Sequence, residues 1–155
     1  MTSFFLRVVG KTQASWHDEA IEDYKTRLSP YAKVQIIECA EGHQGSAKPD
    51  EAKTRAREAE SLLASLPSNA FLIALDETGK NLSSTALATV IQEYESRPIV
   101  FFIGGSWGLD AQIRAKTHLV LSLGKQTLPH VLARIVLLEQ LYRAATINQG
   151  KTYHK

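Results

Sequence analysis

The stretch IVFFIGGSWG, residues 99–108, places five apolar residues directly before a glycine-rich turn. A short, continuous apolar run is typical of a strand that is buried on both faces of a parallel sheet. FLIAL, residues 71–75, is a second run of this kind. The two runs predict the central strands of a parallel sheet, with glycines at the carboxyl end of one of them.

Short β-branched or aromatic runs alternate with amphipathic helical segments along the rest of the chain. This alternation predicts an α/β fold with a mostly parallel sheet flanked by helices. Without an internal repeat, a low-complexity tract or a linker, residues 1–155 are expected to form one domain. The remaining predicted strands are 4–9, 34–39 and 118–123, and the predicted helices are 15–28, 51–66, 83–96, 109–116 and 130–148.

Charge is distributed unevenly over the 155 residues, although the net charge is only +2. Residues 1–110 have a balance of −4, and residues 111–155 have a balance of +6, with Glu139 as the one acid. A basic C-terminal third suits a polyanion such as nucleic acid. It equally suits pairing with the acidic part of the same fold, and charge alone leaves both interpretations open.

The composition indicates the cellular environment and excludes some kinds of site. Cys39 is the single cysteine, so neither a disulfide framework nor a cysteine-based zinc site is possible. The apolar residues 3–9 are too few for a signal peptide or a membrane span. We therefore expect a cytoplasmic protein that has no metal and no membrane partner.

Three strand ends have unusual chemistry: Leu75–Lys80, Gly104–Gly108 and Leu123–His130. In an open parallel sheet, ligands bind outside the carboxyl ends of the strands. Glycines in these turns let backbone amides approach a ligand closely, so the three turns predict a cleft for a nucleotide-like molecule. GGSWG matches neither GxGxxG nor a phosphate-binding P-loop, and it also fits a simple tight turn with Trp107 packed inward.

The last predicted helix, 130–148, begins with two basic side chains one turn apart, His130 and Arg134. Together with the free amides at a helix start, they predict an anion site. Arg134 could instead reach solvent or pair with an acid of residues 1–110. The rest of the helix is apolar round more than one stripe, which favours a homodimer through this helix, or simple burial within one subunit.

Several motifs together resemble the ribosomal RNA large subunit methyltransferase H family. The most specific are IGGSWGL (103–109), LSLGKQTLPHVLARIVLLEQLYRA (121–144) and the terminal YHK (153–155). VVGK (8–11), YKTRLSPYAKVQIIE (24–38) and ALDETGKNLSS (74–84) fit the same family. The resemblance covers essentially the whole chain.

The resemblance implies a SPOUT-class methyltransferase with a C-terminal trefoil knot, acting as a homodimer with S-adenosylmethionine. Its expected substrate is a pseudouridine in the helix 69 loop of large-subunit ribosomal RNA, methylated at N3. By the same resemblance, the cofactor contacts are expected at Leu75, Gly104, Leu123, Gly124, Lys125, Gln126, Thr127 and Leu128.

Four side chains are candidates for the catalytic step. Tyr153 could stack on the target base. His154, His130 or Arg134 could help the imide nitrogen to lose its proton. Two other hypotheses stay open: a nucleotide-binding module without catalysis, and a ribosome-binding factor that has lost it.

Overall fold

In the computed structural model, which describes residues 1–43 and 47–155, a five-stranded parallel sheet lies between two layers of helices. This arrangement confirms the predicted α/β fold. Residues 44–46, in the polar loop after the second strand, lie outside the described part. The strands are β1 (Thr2–Val9), β2 (Ala32–Cys39), β3 (Phe71–Asn81), β4 (Ile99–Ile103) and β5 (Leu119–Ser122), and the helices are α1 (Ser15–Leu28), α2 (Glu51–Leu63), α3 (Ser84–Tyr94), α4 (Ala111–Lys116) and α5 (His130–Asn148).

The strand order is β2-β1-β4-β3-β5, so β3 and β4 lie inside the sheet, as their apolar sequences predict. All five residues of β4 are buried. The order also makes β4, β3 and β5 consecutive neighbours. The turns that follow these three strands therefore emerge side by side at one edge of the sheet.

Each face of the sheet has its own hydrophobic core. One core packs α1, α3 and α5 against the side chains of Leu6, Ile73 and Phe101. The other packs α2 and α4 against Ala74 and Phe102, which point to the opposite face because side chains alternate along a strand. The helices thus fix the sheet from both sides and leave its carboxyl edge to the loops.

Strand β3 is longer than the sequence pattern predicts, because it resumes after an interruption. It pairs with β5 through Leu75, and the register then shifts so that Lys80 also faces Leu121. Residues 76–79 bulge out of the ladder at this point. A Cβ on Gly79 would lie 2.6 Å from the carbonyl oxygen of Val120, so glycine permits the close approach that the bulge requires.

Side chains near two helix starts make specific hydrogen bonds. Ser83 accepts from the amide of Ala86 at 3.1 Å and so caps the start of α3. At α5, Pro129 occupies the N-cap position, and the Thr127 hydroxyl donates to Glu77 at 2.6 Å. Thr127 thus links the loop before α5 to the bulge of β3.

Candidate functional site

The turns after β3, β4 and β5 line one cleft of about 1180 Å³. This volume is sufficient for a nucleotide-sized ligand. The three turns share a cleft because their strands are neighbours in the sheet. Seven of the eight residues expected to hold the cofactor line it, namely Leu75, Gly104, Leu123, Gly124, Gln126, Thr127 and Leu128, whereas Lys125 is exposed outside the lining.

Side-chain hydrogen bonds hold the β5 turn against the β3 bulge. The Ser122 hydroxyl accepts from the amide of Gly124 at 3.1 Å and lies 3.1 Å from the carbonyl oxygen of Glu77. The bond from Thr127 to the Glu77 carboxylate makes a second link. Two sides of the cleft are therefore tied together before any ligand binds.

Gly104 lies in the turn that forms the third side of the cleft. A Cβ on this residue would lie 2.7 Å from the carbonyl carbon of Gly108 and 3.0 Å from the amide nitrogen of Leu109. Both atoms belong to backbone that cannot move without opening the turn. Gly104 therefore lets the chain fold back on itself directly beside the space that a ligand would fill.

Trp107 is not packed inward, which corrects the simpler interpretation of GGSWG. The amide of Gly108 donates to the carbonyl of Gly105 at 3.1 Å, so Ser106 and Trp107 are the central residues of a tight turn. The indole projects from its tip, 40% exposed, at the rim of the cleft.

His130 lines the cleft at the start of α5. Burial, reinforced by the charge of Arg134, lowers the pKa of His130 below its ordinary value, so its imidazole is neutral at pH 7. Its Nδ1 atom is enclosed and has no hydrogen-bond partner among the described residues. A neutral imidazole at the cleft can accept a proton or a hydrogen bond.

Arg134 faces away from solvent, with 1% of its surface exposed. It donates to the Glu38 carboxylate at 3.1 Å and to the carbonyl of Gly10 at 3.3 Å. Of the alternatives that the sequence left open, the structure shows pairing with an acid of residues 1–110. In the single chain Arg134 supports the start of α5 and does not line the cleft.

The C-terminal tail, residues 149–155, is held by Arg143. The guanidinium pairs with Glu139 at 2.6 Å, lies 4.7 Å from the ring centre of Tyr153 and donates to Nδ1 of His154 at 3.2 Å. The Tyr153 hydroxyl donates to the same Glu139 at 3.1 Å. Because an arginine only donates, Nδ1 of His154 is the acceptor and Nε2 carries the proton.

This arrangement keeps the tail out of the cleft within one chain. Neither Tyr153 nor His154 lines the cleft, whereas His130 at the other end of α5 does. The 13 residues from His130 to Arg143 span about 20 Å at the rise of an α-helix. A single chain thus brings His130 to the loops but leaves Tyr153 and His154 at the far end of the helix.

Two cations at the rim were missed by the sequence analysis. Arg55 of α2 and Arg114 of α4 both line the cleft. Arg114 donates to Asp76 at 3.3 Å and stays 41% exposed. No strand-end motif includes these residues, so only the packing of α2 and α4 on the sheet reveals their position.

Glu58, also missed, lies behind the GGSWG turn and is 3% exposed. One carboxylate oxygen accepts from the amide of Gly42 at 3.2 Å, while Oε2 has no partner among the described residues. Burial raises the pKa of Glu58 above its usual range. The carboxyl group sits next to Gly105, where a Cβ would be 3.3 Å from Oε1.

Residues 1–43 and 47–155 lack two kinds of feature. None of the helices there is long and apolar enough to cross a membrane. In the same ranges, no three His, Cys, Asp or Glu side chains gather as they would around a metal ion.

The fold and the cleft define an α/β protein with a ligand-sized cleft at the carboxyl edge of its parallel sheet. Residues 3–154 match the family model described as "Predicted SPOUT methyltransferase", and the chain belongs to this SPOUT methyltransferase family. The fold itself resembles that of a probable methylase family protein from Haemophilus influenzae Rd KW20. That structure has a TM-score of 0.57 and 14% identity, and the match covers 98% of this chain and 70% of the other.

Relatives named Ribosomal RNA large subunit methyltransferase H match nearly the whole chain. The protein of that name from Carboxydothermus hydrogenoformans is 43% identical over 152 residues, which are 95% of this chain and 96% of that protein. The one from Streptococcus gordonii is 39% identical over 155 residues, covering 97% and 98%. These matches confirm the resemblance that IGGSWGL, LPH and YHK carry.

Proposed function

We propose that this protein transfers a methyl group from S-adenosylmethionine to N3 of a pseudouridine in large-subunit ribosomal RNA. The target is the loop of helix 69, on the assembled ribosome. The observation that carries the proposal is the single cleft that the three glycine-bearing turns of a SPOUT-family chain share. The names of the relatives support a ribosomal RNA substrate.

The residues of the cleft fit the proposed cofactor. Backbone of the turns at Gly104 and at residues 123–128 would hold the adenosine, since amides and carbonyls can approach where no Cβ intervenes. When bound, S-adenosylmethionine supplies an electrophilic methyl group on its sulfonium. The chain contributes mainly by positioning, because alignment of two reactants supplies much of the rate in a transfer of this kind.

The nucleophilic nitrogen must lose its proton, and we expect His130 to assist because it lines the cleft. Its imidazole is neutral because burial and the nearby Arg134 oppose protonation. Arg134, paired with Glu38, acts on the reaction by positioning the first turn of α5. Arg134 can oppose protonation of His130 and position the first turn of α5 without touching the RNA.

The proposed enzyme is a homodimer of single SPOUT domains, each with a C-terminal trefoil knot. Leu132 and Val136 support the dimer, since they are one turn apart on α5 and at least 36% exposed, and Leu128, just before the helix, extends this exposed stripe to the cleft. In the dimer, Tyr153 of the partner subunit would stack on the base. His154 of the partner subunit would hydrogen-bond the pyrimidine edge or assist deprotonation, while this chain's own tail lies about 20 Å away.

Two measurements test the function. Calorimetry should show heat with S-adenosylmethionine but none with ATP or NAD; no heat with the methyl donor would rule the cofactor out. Mass spectrometry of ribosomal RNA from cells that lack the protein should show one missing methyl group on a pseudouridine. Cofactor binding with an unchanged methylation pattern would instead favour a binding module without this activity.

A further inference from the structure

The tight turn Gly105–Gly108 presents an aromatic ring to the solvent beside the cleft. The hydrogen bond from the Gly108 amide to the Gly105 carbonyl fixes Trp107 at the tip of the turn. The indole remains 40% exposed although it is the largest apolar side chain that lines the cleft. An exposed indole at the rim of a functional cleft is well placed to stack against a planar group.

A second feature of the rim is the cationic side chain of Arg55. Arg55 lines the same cleft and forms no hydrogen bond or ion pair within the part of the chain that the structure describes. Glu51, one helical turn before Arg55, does not pair with it within the described residues. An arginine that lines the same cleft as an exposed aromatic ring can hold a phosphate while the ring stacks on a base.

The other acids of the rim are occupied by internal hydrogen bonds. Asp76 accepts from Thr78 at 2.6 Å and from Arg114 at 3.3 Å. The carboxylate of Asp110 accepts from the amide of Gln112 at 2.9 Å, and that of Glu77 accepts from Thr127. Hydrogen bonds to neutral donors leave a carboxylate charged, so only Asp76, which pairs with Arg114, is balanced by a cation in the described residues. The other rim acids stay charged, and Arg55 is the cleft-lining cation available to offset them where a phosphate binds.

We propose that Trp107 is a stacking platform for an unpaired RNA base at the mouth of the cleft, and that Arg55 holds the adjoining phosphate. The proposal rests on the RNA substrate of the proposed function and adds a site for it. We assign the ring to RNA and not to the adenine of the methyl donor, because it is 40% exposed at the tip of its turn, whereas Gly104, beside which adenosine would lie, is half-buried. Stacking on a base is tolerant of sequence, so the platform positions the RNA strand.

Fluorescence of Trp107 measures this contact directly. The chain has two tryptophans, so Trp16→Phe leaves Trp107 as the only indole. A synthetic RNA hairpin with an unpaired loop should quench its emission, while a fully paired duplex of the same composition should not. Quenching by S-adenosylmethionine alone, to the same extent as by the hairpin, would show that the ring stacks on the donor and would overturn the proposal.

The phosphate contact is tested in the same background. Arg55→Gln should weaken hairpin binding about tenfold while the quenching at saturation stays the same, because only the cation is lost. Glu51→Gln, one turn earlier on α2, is the matched control and should bind RNA at least as tightly as the parent. Equal RNA affinity in the Arg55 variant and the parent would remove Arg55 from the proposal.

Activity gives an independent measurement. Trp107→Ala should raise KM for ribosomes about tenfold, with kcat and the donor affinity unchanged, and Trp107→Phe should recover most of the loss because a ring remains. An unchanged KM together with an absence of quenching would overturn the platform while leaving the methyltransferase intact. If the parent protein methylates no RNA, the proposed function fails, and the hairpin fluorescence still decides whether the platform exists.

Discussion

At the scale of single residues, Gly104 and Glu58 limit which side chains and charges the GGSWG turn accommodates. Gly104 has backbone where a side chain would begin, and Glu58 holds a carboxyl group next to the same turn with one oxygen unpartnered in the described residues. The backbone next to Gly104 leaves no room for a side chain, and ionisation of the buried Glu58 carboxyl costs free energy. Each residue leads to a separate testable prediction.

Gly104→Ala should open the turn, because its Cβ would lie 2.7 Å from the backbone of Gly108. We expect the affinity for S-adenosylmethionine to fall roughly tenfold or more, the effect of 1.4 kcal/mol or more of lost binding free energy. Calorimetry measures the affinity. Ser106→Ala, a change within the same turn, is the control and should bind the donor normally; an equal loss in both variants would mean that the turn is generally fragile.

Glu58→Gln should stabilise the protein at neutral and alkaline pH. Because burial raises the pKa of Glu58, its contribution to stability is complete below the unfolded pKa and is lost as the pH rises through the folded pKa. A glutamine does not ionise, so the variant should melt at a higher temperature than the parent at pH 8. The difference should narrow towards pH 4.

Thermal melts over this pH range measure the effect. Glu60→Gln changes an exposed residue of the same helix and serves as the control. If it gives the same pH dependence as Glu58→Gln, burial of the Glu58 carboxyl is not the cause.

At the scale of secondary-structure elements, α5 connects two sites that are separated by its length. Its first turn places His130 at the cleft, and its last turns hold the tail through Arg143. Arg134 joins the same helix to β2 through Glu38, 96 residues earlier in the chain. The helix is therefore the rigid element that sets the distance between the candidate base and the tail.

Arg143→Ala should release the tail, because the same guanidinium contacts Glu139, the Tyr153 ring and His154. Amide hydrogen exchange of residues 149–155 should become faster, and methyl transfer should fall towards the level of a variant that lacks Tyr153–Lys155. Arg143→Lys is the control: it keeps the charge but loses the forked contact, so an intermediate effect is expected. Normal methylation by a protein whose tail exchanges freely would show that tail order is not needed.

At the scale of the whole molecule, the proposed dimer explains how a tail far from its own cleft could take part in the reaction. In a two-fold arrangement each tail would serve the cleft of the partner subunit. The exposed stripe of Leu128, Leu132 and Val136 lies between the two sites and would be covered by the contact. One subunit alone would then be folded but inactive.

Mixed dimers test this arrangement. Chains that lack Tyr153–Lys155 and chains with Gly104→Val, whose larger side chain should block the cofactor, should each be inactive alone. When they are refolded together in equal amounts, about a quarter of the sites should combine an intact cleft with an intact tail from the other chain. Single-turnover methylation measures that fraction; no recovery in verified mixed dimers would mean that each tail serves its own cleft.

Local patterns in the sequence predict the parallel sheet, its central strands and the turns that form the cleft. These features follow from local patterns, because apolar runs, helical spacing and glycines act within a few residues of one another. Even the sharing of one cleft follows once the three strands lie side by side, since parallel strands end at the same edge.

The tertiary structure alone decided which charges are satisfied and where the chain ends lie. Arg134 could meet solvent, phosphate or an acid, and only the packing of α5 against β1 and β2 selects Glu38. In the same way, the exposed Trp107 depends on a turn closed by backbone, and the distance of Tyr153 from the cleft depends on the length and direction of α5. These outcomes are contacts between distant parts of the chain, and no local pattern in the sequence encodes their partners.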